Sequence, residues 1–133
     1  MLLEVNIMPK FNKNSSRELK DYLYNNCFHD AKLQNIEYKS TKDTLKIELL
    51  NPFFNKKLVL TFHDIEIFLA MKGNWHGSSE EVSSLTLEED FSYLKTYMLN
   101  QSECINSDLY LLFQMFSGDE WHIVSKEVII EIE

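Results

Sequence analysis

Glycine and proline are scarce, 3 Gly and 2 Pro in 133 residues. So few turn-formers leave no flexible linker or low-complexity stretch, and one domain, 1–133, is expected around one core. Cysteine is equally sparse: Cys27 and Cys104 lack CxxC spacing, and two reduced, partly buried thiols are expected. No apolar run approaches the roughly 20 residues that span a bilayer. The opening MLLEVNIMPK is broken by Glu4 and has neither a basic start nor a small-residue cleavage site, which argues against a signal peptide. A cytoplasmic protein is the expectation. GxSxG, the P-loop, GxGxxG and HExxH are all missing, so nucleophilic, nucleotide and zincin chemistry have no motif to rest on.

Basic residues are scarce in one half. The hydrophobic fraction of 44% and aromatic fraction of 13% are those of a globular chain, and the net charge is −8. Residues 1–72 hold 11 basic and 9 acidic side chains, whereas residues 73–133 hold 2 basic (Lys95 and Lys126) and 12 acidic. Such a field repels nucleic-acid phosphates and anionic membrane surfaces, so no nucleic-acid or membrane partner is expected. It favours a basic protein partner, because complementary fields speed encounter. The plain alternative is an acidic surface that only keeps the protein in solution.

Hydrophobic spacing predicts an α+β fold, a mostly antiparallel sheet of about six strands with two helices packed on it. Met1 to Met8 read as a short strand or a disordered start. Ser15-Ser16-Arg17-Glu18 has the form of a capping box, and Leu19, Tyr22, Leu23 and Cys27 follow at helical spacing, giving a helix over about 16–26. A hairpin follows, with Leu33, Ile36 and Tyr38 in one strand and Leu45, Ile47 and Leu49 in the next. Apolar positions are then even at 58, 60 and 62 but odd at 65, 67 and 69, so the strand must bulge or bend at His63-Asp64. Residues 72–80 read as loop. Thr86-Leu87-Glu88-Glu89 resembles a second capping box, opening a helix over about 87–99. Strands near 108–116 and 121–132 close the chain, joined through Ser117-Gly118-Asp119; LYLLF at 109–113 is apolar on both faces and reads as central.

Phe-His-Asp occurs twice, as Phe28-His29-Asp30 and Phe62-His63-Asp64. His29, Asp30, His63 and Asp64 supply four metal ligands if the two segments meet, the basis for a metal-dependent hydrolase reading. The helical HD phosphohydrolases, however, carry their pair on helices among further ligands, whereas both pairs here lie in strand-rich surroundings. The competing reading is structural: Asp30 follows a helix and precedes a strand, where its carboxylate can accept backbone N–H groups. Cys27 belongs to a helical stripe and Cys104 to a polar connection, and neither reads as a nucleophile. Glu80, Glu81, Glu88 and Glu89, with Asp119 and Glu120, form the acidic surface a basic partner would meet. Glu88 and Glu89 also suit a helix's first turn. Trp121 reads as core. Trp75, in the loop GNWHG, is either an interface anchor or a lid folded over the sheet.

Phe28-His29-Asp30-Ala31-Lys32-Leu33, a charged hairpin, then Leu58-Val59-Leu60-Thr61-Phe62 resembles a pattern in small bacterial proteins of unknown function that carry an FHD motif. Several of these are similar to immunity proteins of polymorphic toxin systems, which bind and neutralise a toxin domain. The similarity extends over residues 28–133 and includes Trp121-His122-Ile123; the second FHD lies outside the pattern. The resemblance implies a non-enzymatic protein-binding module with no cofactor and a basic toxin domain as partner. The alternatives are the metal-dependent hydrolase and a self-associating domain, a homodimer through an exposed sheet edge.

Overall fold

The computed structural model describes residues 9–25, 28–73, 77–95 and 108–133. Strand β1 (Lys10–Asn12) leads through one 3-10 turn into helix α1 (Ser16–Asn25). The reciprocal cap forms earlier than the expected Ser15–Glu18 pair. Asn12 Oδ1 accepts from Asn14 N at 2.9 Å, and Ser15 Oγ accepts from Asn12 N at 2.9 Å. Leu19 and Leu23, one turn apart, carry the buried face of α1.

The remaining strands are β2 (Lys32–Lys39), β3 (Thr44–Asn51), β4 (Lys56–Met71), β5 (Val82–Glu88), β6 (Leu109–Met115) and β7 (Glu120–Ile132), with a short helix α2 (Ser92–Lys95) after β5. All pairings are antiparallel, in the order β2-β3-β4-β7-β6-β5, with β1 added to β7. The chain is an α+β protein made mainly of antiparallel sheet; the described residues form seven strands rather than six, with little helix beside α1. LYLLF lies in β6, between β5 and β7.

The helix expected over 87–99 is replaced in its first part by strand. Val82 and Leu85 are buried, and a register shift between Val82 and Ser84 sets the phase that sends both into the core. Thr86 and Glu89 form no capping box: Thr86 lies within β5, where its hydroxyl donates to Glu88 Oε1 at 2.9 Å. The helix begins only at Ser92, where Asp90 Oδ1 accepts from Ser92 N at 2.9 Å. Residues 96–99 and 1–8, Cys27, Trp75 and Cys104 lie outside the described residues.

β4 and β7 are the long strands, and β4 is irregular near its middle. Asp64 takes a left-handed φ of 55°, and the β4–β7 register shifts between Ile65 and Ile67. The expected phase slip is therefore present. It divides the strand's apolar residues: Leu58, Leu60, Phe62 and Ile65 face the main core, while Ile67 and Leu69 face a second cluster. The sheet curls until its first and last strands meet at one end. Asp30 N donates to Val82 O, Val82 N to Ala31 O and Leu33 N to Glu80 O, at 2.8, 2.8 and 2.6 Å. The main core fills the inside of this curl, with Leu45, Ile47, Leu49, Leu111, Phe113, Val128 and Ile130 among its residues, and α1 adds Leu19 and Leu23. The second cluster, Phe91, Leu94, Tyr110 and Val124, sits on the outer face of the β4-β7-β6 half, because side chains alternate along β6.

Candidate functional site

The two FHD segments lie at opposite ends of β3. His63 pairs with Thr44 at its start, while Asn51 at its end donates from Nδ2 to His29 O at 3.2 Å. Seven residues of strand separate these points, roughly 23 Å at about 3.3 Å per residue. One ion therefore cannot touch both pairs, and among the described residues no three His, Cys, Asp or Glu side chains converge as ligands. Phe28 and Phe62 are core residues. His29 lies edge-on to Phe116, its Nδ1 3.0 Å from Asp30 Oδ2. Asp30 holds φ 67°, and the corner is tied by its own N–H on Val82 O and by Ala31 N on Phe28 O, so the Asp30 carboxylate faces His29 rather than the backbone.

The expected acidic surface divides in two. Glu80 and Glu81 stand where β5 meets β2, and their carbonyls accept from Leu33 N and Phe116 N. Glu88 and Glu89 follow at the far end of β5, roughly 23 Å away by strand rise. Asp119 plays a structural part, since its Oδ1 accepts from Gly73 N at 2.6 Å and so clasps the end of β4 to the β6–β7 turn. Glu120 faces the outer side of the sheet, where Oε2 accepts from Gln114 Nε2 at 3.3 Å and Oε1 stands 3.5 Å from His122 Nε2.

That last contact belongs to a cluster that sequence reasoning missed. Tyr110 and His122 project from β6 and β7 onto the outer face, each 3% exposed, and the Tyr110 hydroxyl lies 2.5 Å from His122 Nδ1. Burial, reinforced by Glu88 and Glu120 and then by Tyr93 and Asp90, pushes the Tyr110 phenol up to about 12. The Tyr110 hydroxyl and His122 Nδ1 share one hydrogen bond, while Nε2 stands 3.5 Å from Glu120 Oε1 without a hydrogen bond to it. Tyr93 covers the imidazole, stacked with centroids 5.1 Å apart and planes 24° apart, while its own ring remains 44% exposed. Phe91 tilts against Tyr110 at 5.3 Å, and Asp90 caps the helix that carries Tyr93. The result is one exposed tyrosine on a buried polar pair, rimmed by Glu88, Asp90 and Glu120. A substrate reaches neither Tyr110 nor His122 directly; what is presented outward is Tyr93 and negative charge. A signal did exist: in Trp121-His122 on a strand, an inward Trp places the His outward, and Trp121 does pack against the main core, 5.8 Å from Phe113.

The outer face of the other half carries both signs. Lys39, Lys42 and Lys46, with Glu37 and Glu131 and with Thr44, Thr61 and His63, line a groove of about 390 Å³. Two of these lysines are already paired, Lys39 with Glu37 at 3.4 Å and Lys46 with Glu48 at 3.3 Å.

Among the described residues no helix is long and apolar enough to cross a membrane. Compared with protein-family models, curated proteins and solved structures, the chain matches none of them.

Proposed function

We propose that this chain is a cytoplasmic, non-enzymatic binding module that captures a basic protein domain through the acidic surface centred on Tyr93. One observation carries the reading. Glu88, Asp90 and Glu120, distant in sequence, converge on the Tyr110–His122 pair beneath an exposed aromatic ring. An amphipathic ring with a charged rim is the make-up of an interface hot spot, and the carboxylate field adds fast, salt-sensitive encounter with a positive partner. The resemblance to immunity proteins gives that partner a character, a basic toxin domain neutralised by occlusion. Glu89, exposed beside this rim, belongs to the same surface; Glu80 and Glu81 flank it from the far end of β5.

The test is co-expression with the product of the neighbouring reading frame, followed by binding measurements across a salt series. Support is a basic partner that co-purifies and whose association rate falls about tenfold or more in Glu88→Lys/Glu89→Lys at low salt. A partner that binds the reversed variant at the wild-type rate places the interface elsewhere. Stoichiometric metal on the purified protein, lost with His63→Ala, would favour the hydrolase reading instead.

A further inference from the structure

His122 holds a ring nitrogen that no neighbour uses. Its side chain is 4% exposed, and Nδ1 shares its hydrogen bond with the Tyr110 hydroxyl. Nε2 is buried with no hydrogen-bond partner, and Glu120 Oε1 stands 3.5 Å from it. Buried polar atoms are nearly always paired, so an unpaired one calls for a reason. A neutral imidazole carries one ring proton, whereas an imidazolium carries two and donates from both nitrogens. Acceptors for both protons are in place. The Tyr110 oxygen lies at Nδ1, and the Glu120 carboxylate lies less than about 1 Å beyond the length of a charge-assisted bond to Nε2. The Glu120 side chain is 32% exposed and tethered by a long bond, Oε2 to Gln114 Nε2 at 3.3 Å, so a small movement closes the gap.

The charged groups around the Tyr110–His122 pair are acidic: Glu120 from β7, Glu88 from β5 and Asp90 ahead of α2. Tyr110 from β6 and Tyr93 from α2 are the phenols that face the imidazole. β4 adds only apolar side chains, Ile67 and Leu69, and Lys13 reaches the edge of the cluster, 5.9 Å from the centre of the Phe91 ring. Tyr93 carries the state of the imidazole to the surface. Its ring lies nearly flat on His122, and its hydroxyl donates to Met71 Sδ at 2.6 Å. A cation under an aromatic face is attracted to it. A carboxylate drawn down onto that cation no longer offers its charge outward. We infer that protonation of His122 is a pH switch for the Tyr93 surface: the imidazolium closes on Glu120, tightens beneath Tyr93 and cancels one of the three rim charges, so capture of a basic partner weakens in mild acid. Its effect on capture rests on the binding reading above, whereas the switch itself belongs to the chain alone.

NMR on the isolated protein tests the switch, following the His122 and Tyr93 ring protons from about pH 8 to 5, the span over which histidine charge ordinarily changes. His122 should titrate, and Tyr93 should shift in step with it. Glu120→Gln removes the acceptor and should move the step to lower pH. His122 signals constant across the range, Tyr93 signals that do not follow them, or a step unmoved in Glu120→Gln would each overturn the inference. Binding of an oligolysine peptide at low salt tests the consequence. Wild-type affinity should fall at least about threefold between pH 8 and 5.5, with the fall missing in His122→Gln; an equal fall in both proteins would overturn it. A step in the NMR titration without any peptide binding would uphold the switch and count against the Tyr93 surface as a binding site.

Discussion

Removing one hydroxyl, with Tyr110→Phe, tests the polar pair beneath Tyr93. At neutral pH the substitution deletes the 2.5 Å bond to His122 Nδ1 and leaves that nitrogen without the phenol in a site where both rings are 3% exposed. Leaving a buried polar group without its partner costs about 1–3 kcal/mol. Raising the pH should then invert the comparison. The folded phenol is held at about 12 against 10.0 for the free group. Between these values the unfolded chain has lost a proton that the folded chain still holds, so wild-type stability falls as pH rises. The stabilisation is present below pH 10, about half of it is gone at pH 11, and about 3 kcal/mol is gone well above pH 12. Tyr110→Phe has no such loss, so its deficit should shrink through this window and vanish or reverse near its upper end. Urea melts of both proteins from pH 8 to 12 measure the difference directly, and effects common to both cancel. Absorbance near 295 nm gives a second reading: Tyr110 should contribute a late ionisation step, and that step should be missing in the variant. A constant stability difference across the window, or no late-ionising phenol, would refute the placement of Tyr110 among carboxylates.

Three further predictions concern the scaffold. Asn51→Ala removes a buried side chain that accepts from Phe53 N and Phe54 N at 3.0 and 3.3 Å and donates to His29 O. It should lower stability by about 2 kcal/mol or more in urea melts and increase hydrogen exchange at Phe53 and Phe54. Gly73→Ala would set a Cβ 2.2 Å from the Gly118 carbonyl carbon, beside the Asp119 clasp. It should cost about 1–3 kcal/mol, read as a fall in melting temperature. In a double-mutant cycle, His29→Ala and His63→Ala should add within about 0.5 kcal/mol, because the length of β3 separates them; coupling above about 1 kcal/mol would mean that they share a ligand.

Much of the sheet was legible because its signal is local. The alternation in β2 and β3, and the change of phase around Asp64, follow from side-chain periodicity alone. β5 was misread because Thr86-x-x-Glu89 imitates a helix cap while the bulge near Val82 interrupts the alternation that marks a strand. The FHD repeat suggested convergence because sequence identity carries no distance; β3 supplies that distance, and the two copies end up far apart. The Tyr93–His122–Tyr110 cluster was invisible for a similar reason. It joins a helix to two strands and draws its charge from residues 88, 90 and 120, which only the folded sheet brings together. The acidic surface was foreseen in sign but not in shape: Asp119 serves the β6–β7 turn, and Glu80–Glu81 stand apart from Glu88–Glu89.

The most direct measurement is the affinity of the chain for the proposed basic partner, wild type against Tyr93→Ala, at low and high salt. Affinity should fall steeply with salt, and truncating the exposed ring should lose about 2 kcal/mol, some thirtyfold, with melting temperature preserved. Equal affinities for the two proteins, or binding indifferent to salt, would contradict the assignment of the interface to Tyr93 and its acidic rim.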